Sequence, residues 1–269
     1  MITGYILTMR KRVTKEDLEE LKKAKSLLEN PGIAAKITNF IGKPIESGLK
    51  KLPDGWNAKI GDITQEALSQ AAKAAIFTID DKPGESSSNL LHQLAVFATG
   101  ASGGFFGLKG LVVELPVTTT IMLRSIADIA RSEGESISKN DVKLACLEVF
   151  ALGGSPESDD GTETGYYTVR LALAQSISDA VKFLVSKKIT DKGAPILVSL
   201  ISKIAERFSL QITPKTASQL VPGIGAVSGA IINTIFLDHF QDMARGHFVV
   251  RRLERKYGKQ LIFETYNKI

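Results

Sequence analysis

The chain has 269 residues, 43% hydrophobic and 23% charged, with a formal net charge of +5 and a mean hydropathy of +0.05. A core of useful size is available at this length, and the single cysteine, Cys146, excludes an intramolecular disulfide and any paired-cysteine metal cluster. The mild basic excess permits contact with anionic lipid or nucleic acid and requires neither.

The N-terminal "MITGYILTMRKRV" is not a secretory signal, because its apolar part is short and its basic residues follow it. Met9, ahead of Arg-Lys-Arg, is an alternative start. The chain reads as cytoplasmic, or as peripheral at the inner face of a membrane. Thr14 is placed to cap a helix carrying Glu16 and Asp17 in its first turn, which Asn30-Pro31-Gly32 ends. Ile33, Ile37, Phe40, Ile41, Ile45, Leu49 and Leu52 predict a second helix, kinked at Pro44. "LPDGW" is a turn, "NAKIGDITQEALSQAAKAAIFTI" an alanine-rich third helix and "DDKPGESSSN" a loop. Residues 89–131 hold a glycine-rich segment and a helix. Ser138 with Asp141 then caps another helix, which runs to about Leu152 and buries Cys146. "GGSPESDDGTETG" is an acidic loop without calcium-loop spacing. "YYTVRLALAQSISDAVKFLVSKKIT" and "APILVSLISKIAERFSL" predict two helices. "TASQLVPGIGAVSGAIINTIFL" and the basic "DHFQDMARGHFVVRRLERKYG" complete the series. No alternating strand pattern is present. The fold class is all-α: one domain over residues 1–269, a single bundle of about eight or nine helices with two glycine-rich segments at its centre. Residues 1–30 form a peripheral helix.

Two runs lack charge, Ser86–Leu108 and Thr216–Leu237, each as long as a bilayer span of roughly 20 residues. Gly100 with Gly104, Gly103 with Gly107, and Gly225 with Gly229 stand four residues apart, on one helical face where two backbones can approach closely. A phosphate loop does not fit, because the segment ends Lys109-Gly110-Leu111 and follows a helical pattern rather than a strand. Ser86, His92, Gln93, Gln219 and Asn233 argue against simple spans, and so does the carboxylate of Glu114. Buried helices, reversible insertion and true spans all remain open at this point.

"FATGASGGFFGLKGLVVELPVTTTIMLRSIADIARSEG" with "CLEVFALGG", and "LVPGIGAVSGAIINTIFLDHFQDMARGHFVVRRLERKYG", resemble the two signature blocks of the EcsC family. "IGKPIESGLKKLP" resembles its N-terminal helix, so the likeness covers about residues 35–258. It implies a helical fold and a loose association with membrane processes. It offers no catalytic residues to carry over.

Glu114, Arg124, Asp128 and Asn233 each interrupt or border an apolar helix. Buried polar groups must pair, so Glu114, Arg124 and Asn233 form a candidate network where the two glycine-rich segments meet. It is read first as a lock on helix register and second as a ligand or catalytic site. His239, beside Asp238 and Asp242, supplies too few convergent ligands for a metal, and His92 and His247 add none. Arg245, Arg251, Arg252, Arg255 and Lys256, interleaved with Phe248 and Tyr257, are candidate contacts to an anionic surface. The function expected is that of a non-enzymatic accessory protein bound to a membrane surface, lipid or membrane protein. No cofactor and no nucleic acid are expected. The alternative is a hydrolase of a lipid-like substrate that uses Glu114 with a histidine.

Overall fold

The computed structural model describes residues 12–29, 36–37, 39, 48, 50, 52–78, 107–153, 165–185, 195–219 and 225–269. Within them the chain forms eight α-helices and one 3-10 turn, and no strand. The all-α reading therefore holds. The expected helix over 33–52 lies for the most part outside the described residues. So do the loop after residue 78, the acidic loop, and Gly100, Gly103 and Gly104.

Helix α1 spans Lys15–Leu28. Thr14 caps it as expected, its hydroxyl oxygen accepting from the Asp17 backbone N–H at 3.2 Å. Leu21, Ala24 and Leu28 recur on one face and are buried. That face lies on the last long helix at Gly246. A Cβ there would stand 2.6 Å from Leu28 Cγ and 2.9 Å from the Ala24 carbonyl oxygen, so the two helices touch at a bare backbone. Helix α1 is thus packed into the bundle and not merely laid beside it.

After a turn at Gly55 (φ 72°), α2 runs Trp56–Thr78. It lies against α3, Gly107–Ser132, which buries Leu111, Leu115, Met122, Ile126 and Ile129. Pro116 stands inside α3. The carbonyl it leaves unpaired belongs to Val112, an exposed residue, so water can serve it. Gly134 (φ 77°) ends α3 in a Schellman turn, with Gly134 N–H to the Arg131 carbonyl at 2.9 Å and Glu135 N–H to the Ala130 carbonyl at 3.0 Å.

Helix α4 spans Asn140–Glu148 and runs into a 3-10 turn, Val149–Ala151. The N-cap falls on Lys139, one residue after the expected Ser138, and has no side-chain bond; the Ser138 hydroxyl pairs with that of Ser136 at 2.8 Å. Residues 144–152 are buried without exception. Phe150 meets Phe208 and Phe240 with ring centroids 4.9 and 5.2 Å apart, an aromatic knot that the described residues place at the heart of the core. Burial pushes the Cys146 thiol up to about 12, as suits a structural cysteine.

Helix α5 is Gly165–Val185 and α6 is Pro195–Gln219. The sequence suggested that α6 stops near Leu210, but it continues through Pro214. The carbonyl lost to that proline belongs to Leu210, which is exposed, so the break costs little. Helix α7, Gly225–Tyr257, is one helix of 33 residues where two consecutive pieces were expected. Gly258 (φ 97°) turns the chain into α8, Lys259–Lys268, which buries Ile262 and Tyr266. Helix α7 touches α1, α3, α6 and α8 in turn.

Candidate functional site

Three helices converge on one carboxylate. Glu114 of α3 accepts from Lys215 Nζ of α6 at 2.7 Å and from Asn233 Nδ2 of α7 at 2.8 Å, both on Oε1. The side chains of Glu114 and Lys215 are each 2% exposed, and Asn233 is fully buried. The ammonium also stands 5.4 Å from the centre of the Phe236 ring. Asn233 Oδ1 has no hydrogen-bond partner. A carboxylate held by an ammonium and an amide is a fixed acceptor. Such a group locks the mutual register of α3, α6 and α7 better than it moves a proton.

The sequence placed Glu114 and Asn233 together, and the structure joins them. It does not bring Arg124 to them. Arg124 is exposed, because it falls seven residues after Val117 and so shares the outward face of α3. The cation in the cluster is Lys215, which sequence reasoning missed. A signal was available: Lys215 is the only charged residue between Arg207 and Asp238, as Glu114 is between Lys109 and Arg124. Two lone opposite charges in apolar helices are natural partners. Asp128 pairs instead with Arg131 on its own helix.

The candidate anionic-surface contacts are tied up by carboxylates. Arg245 meets Asp242 at 3.2 Å, and Arg251 meets Glu135 at 2.9 Å and Asp141 at 3.5 Å. Arg252 bridges Glu20 and Glu133, both at 2.8 Å. Arg255 pairs with Glu135, and Lys256 with Asp17 at 2.6 Å. Hydrogen bonds from Lys256 and Tyr257 hold the Asp17 carboxyl down at about 2. Phe248 is fully buried and meets no surface. The basic end of α7 is therefore a clamp onto α1 and the turn after α3.

A second buried cluster was not anticipated. Arg170 of α5 binds Glu254 of α7 through both terminal nitrogens, at 2.7 and 3.0 Å. Beside it the Tyr166 hydroxyl lies 3.1 Å from His247 Nδ1, and Glu148 Oε2 lies 3.8 Å from His247 Nε2. His247 is fully buried, and burial next to Arg170 and Arg251 holds it well below the usual histidine range.

His239 is also fully buried, and its pKa is lowered to about 3, chiefly by burial. Its ring abuts Gly153 (φ 78°), where a Cβ would come within 2.5 Å, and neither ring nitrogen has a hydrogen-bond partner. The neighbouring Asp238 is exposed, and Asp242 is engaged by Arg245 and by Lys36 at 3.7 Å. His92 lies outside the described residues. Among the described residues no three His, Cys, Asp or Glu side chains gather to hold a metal. Among the described residues Glu114 is bonded to a lysine and an asparagine, and neither His239 nor His247 pairs with it. Of the candidate packing glycines, Gly107 opens α3, while Gly225 and Gly229 lie in the first turns of α7.

Among the described residues one helical stretch, Gly110–Ser132, is long and apolar enough by length and composition to cross a membrane, and 61% of its most apolar window is buried inside the protein. Val112, Val113 and Val117 on the same helix are 55%, 72% and 46% exposed. The family model described as the EcsC protein family matches residues 6–253. No curated protein and no solved structure matches the chain.

Proposed function

We propose that this chain, which belongs to the EcsC protein family, is a non-enzymatic, cytoplasmic accessory protein that rests on a membrane through the outward valine face of α3. The observation that carries this reading is Val112, Val113 and Val117 standing in solvent on the one helix among the described residues that is long and apolar enough to cross a membrane. Outward apolar side chains are ordinary when scattered, but three within six residues form a patch. Arg124 follows on the same face, about two helical turns or roughly 10 Å along. An apolar patch edged by a long cationic side chain suits the boundary between acyl chains and headgroups. Most of the helix is committed to the core, so the contact is shallow rather than a span.

The clamped basic end of α7 gives the proposal its test. A surface held by valines binds neutral and anionic vesicles alike and resists salt, because the term is apolar burial. Flotation of the full chain with phosphatidylcholine vesicles, with and without phosphatidylserine, at low and high salt, measures this. The expected outcome is salt-resistant flotation with both, lost in the Val113→Asp/Val117→Asp variant. Failure of the native chain to float under all four conditions overturns the reading. Flotation with anionic vesicles alone, abolished by salt, returns the function to the basic residues.

A further inference from the structure

We infer that Glu148, His247 and Tyr166 form an internal proton-binding site, in which uptake of one proton reverses the direction of hydrogen bonding along the file. Glu148 closes α4, Tyr166 is the second residue of α5, and His247 lies on α7. The imidazole stands between the other two, with Nδ1 3.1 Å from the phenol oxygen and Nε2, which has no hydrogen-bond partner, 3.8 Å from the carboxylate, a gap that a small side-chain movement closes. All three are buried. Among the described residues no donor bonds to Glu148. Glu148 keeps only 5% of its surface exposed, and a carboxyl group so largely withdrawn from water favours holding a proton or finding a donor. The imidazole is the neighbour able to share one.

The surrounding charges are settled. Arg170 of α5 is matched by Glu254 of α7, and Arg251 of α7 by Glu135 and Asp141. Burial pushes the hydroxyls of Tyr166, Tyr167 and Tyr266 and the Cys146 thiol upward, so these groups keep their protons at neutral pH. Beyond Tyr266, Lys25 of α1 faces Glu29 at 3.9 Å. That leaves Glu148 and His247 as the groups free to exchange a proton.

On the acid side of neutrality Glu148 carries the proton and donates to Nε2. The imidazole then bears hydrogen on Nδ1 and donates to the Tyr166 oxygen. On the alkaline side Glu148 is ionised, Nε2–H turns toward it, and Nδ1 accepts from the Tyr166 hydroxyl. One proton is gained or lost at Glu148, one hydrogen changes ring nitrogen, and the imidazole stays neutral throughout. Burial lifts Glu148 to about 7, which places the exchange near neutral pH.

The test is a titration of the full chain labelled with 15N on histidine, read by long-range proton–nitrogen spectra from about pH 5 to about pH 9. His92 and His239 are the other two rings, and a His247→Asn sample identifies the third set. The expected result is an Nε2–H tautomer at high pH giving way to Nδ1–H at low pH, with a midpoint near 7. Glu148→Gln is expected to abolish the step. An imidazolium at low pH, or one tautomer across the whole range, overturns the inference. Should Glu148→Gln fail to fold, Tyr166→Phe removes the partner of Nδ1, and an unshifted midpoint in that variant counts against the site equally.

Discussion

Helix α7 carries ionic contacts in contrasting surroundings, and two of its places show the difference. At Asn233 it meets one ammonium and one carboxylate sealed from water. Farther along, Arg251, Arg252, Arg255 and Lys256 face Asp17, Glu20, Glu133, Glu135 and Asp141 at the rim, with the four basic side chains 19–54% exposed. These contacts set four cations against five carboxylates, so the basic side chains at this end of the helix are matched rather than left bare. Water decides what each group contributes. Inside, a charge that loses its partner has nothing to replace it; at the open Arg252–Glu20 pair solvent replaces it at once, while Asp17 and Glu135 are themselves largely buried.

The sharpest way to break this contrast is Lys215→Met. It strands the Glu114 carboxylate and is expected to cost about 3–5 kcal/mol of stability, read from denaturant unfolding. Adding Glu114→Gln removes the stranded charge and is expected to recover most of the loss. If the single variant is as stable as the native protein, the cluster is wetter than its burial says.

The Glu148–His247 pair sharpens the interior side. Glu148 is raised from 4.5 to about 7, so its contribution is full below pH 4.5 and is lost as pH rises through 7. His247 is lowered below 6.5, so its contribution is full above 6.5 and is lost as pH falls. Between 4.5 and 6.5 the unfolded pair holds one proton on histidine and the folded pair one on glutamate. The terms cancel there, and the pair's share of stability is flat, declining on either side. Relative to the native chain, Glu148→Gln is expected to gain on the order of 3 kcal/mol between about pH 4 and about pH 8. Equal pH profiles for the two proteins contradict the raised carboxyl.

At the rim the expected effect is smallest. Arg252→Ala is expected to cost about 0.2–1 kcal/mol, shrinking as salt is added, although Arg252 bridges two carboxylates. A loss as large as that of Lys215→Met would erase the distinction between the two places.

Local signals in the sequence carried α1 nearly whole, since Thr14, the leucine spacing and the Asn-Pro-Gly stop are all short-range chemistry. Boundaries went astray where tertiary packing overrode local rules. The expected α6 ended near Leu210, yet the carbonyl that Pro214 leaves unpaired belongs to the exposed Leu210 and the helix continues. Helix α8 was overlooked, because Ile262 and Tyr266 show their pattern only once their burial is known. At the site, Glu114 and Asn233 were legible as polar breaks in apolar runs. Lys215 was hidden by the proline beside it, and Arg124 was assigned inward because its helical phase was not followed. The Glu148–His247–Tyr166 file joins residues 81 and more apart and left no trace in spacing.

Helix α7 runs unbroken for 33 residues, a rod of about 50 Å. Asn233, His239, His247 and Arg252 are strung along it like fittings on a single beam. Its near end is bolted to α3 and α6, and its far end is gripped by α1. A stiff beam fixed at both ends cannot tilt at one without levering the other, so a disturbance at the valine-bearing helix would reach the α1 end mechanically, with no wire of intermediate side chains required.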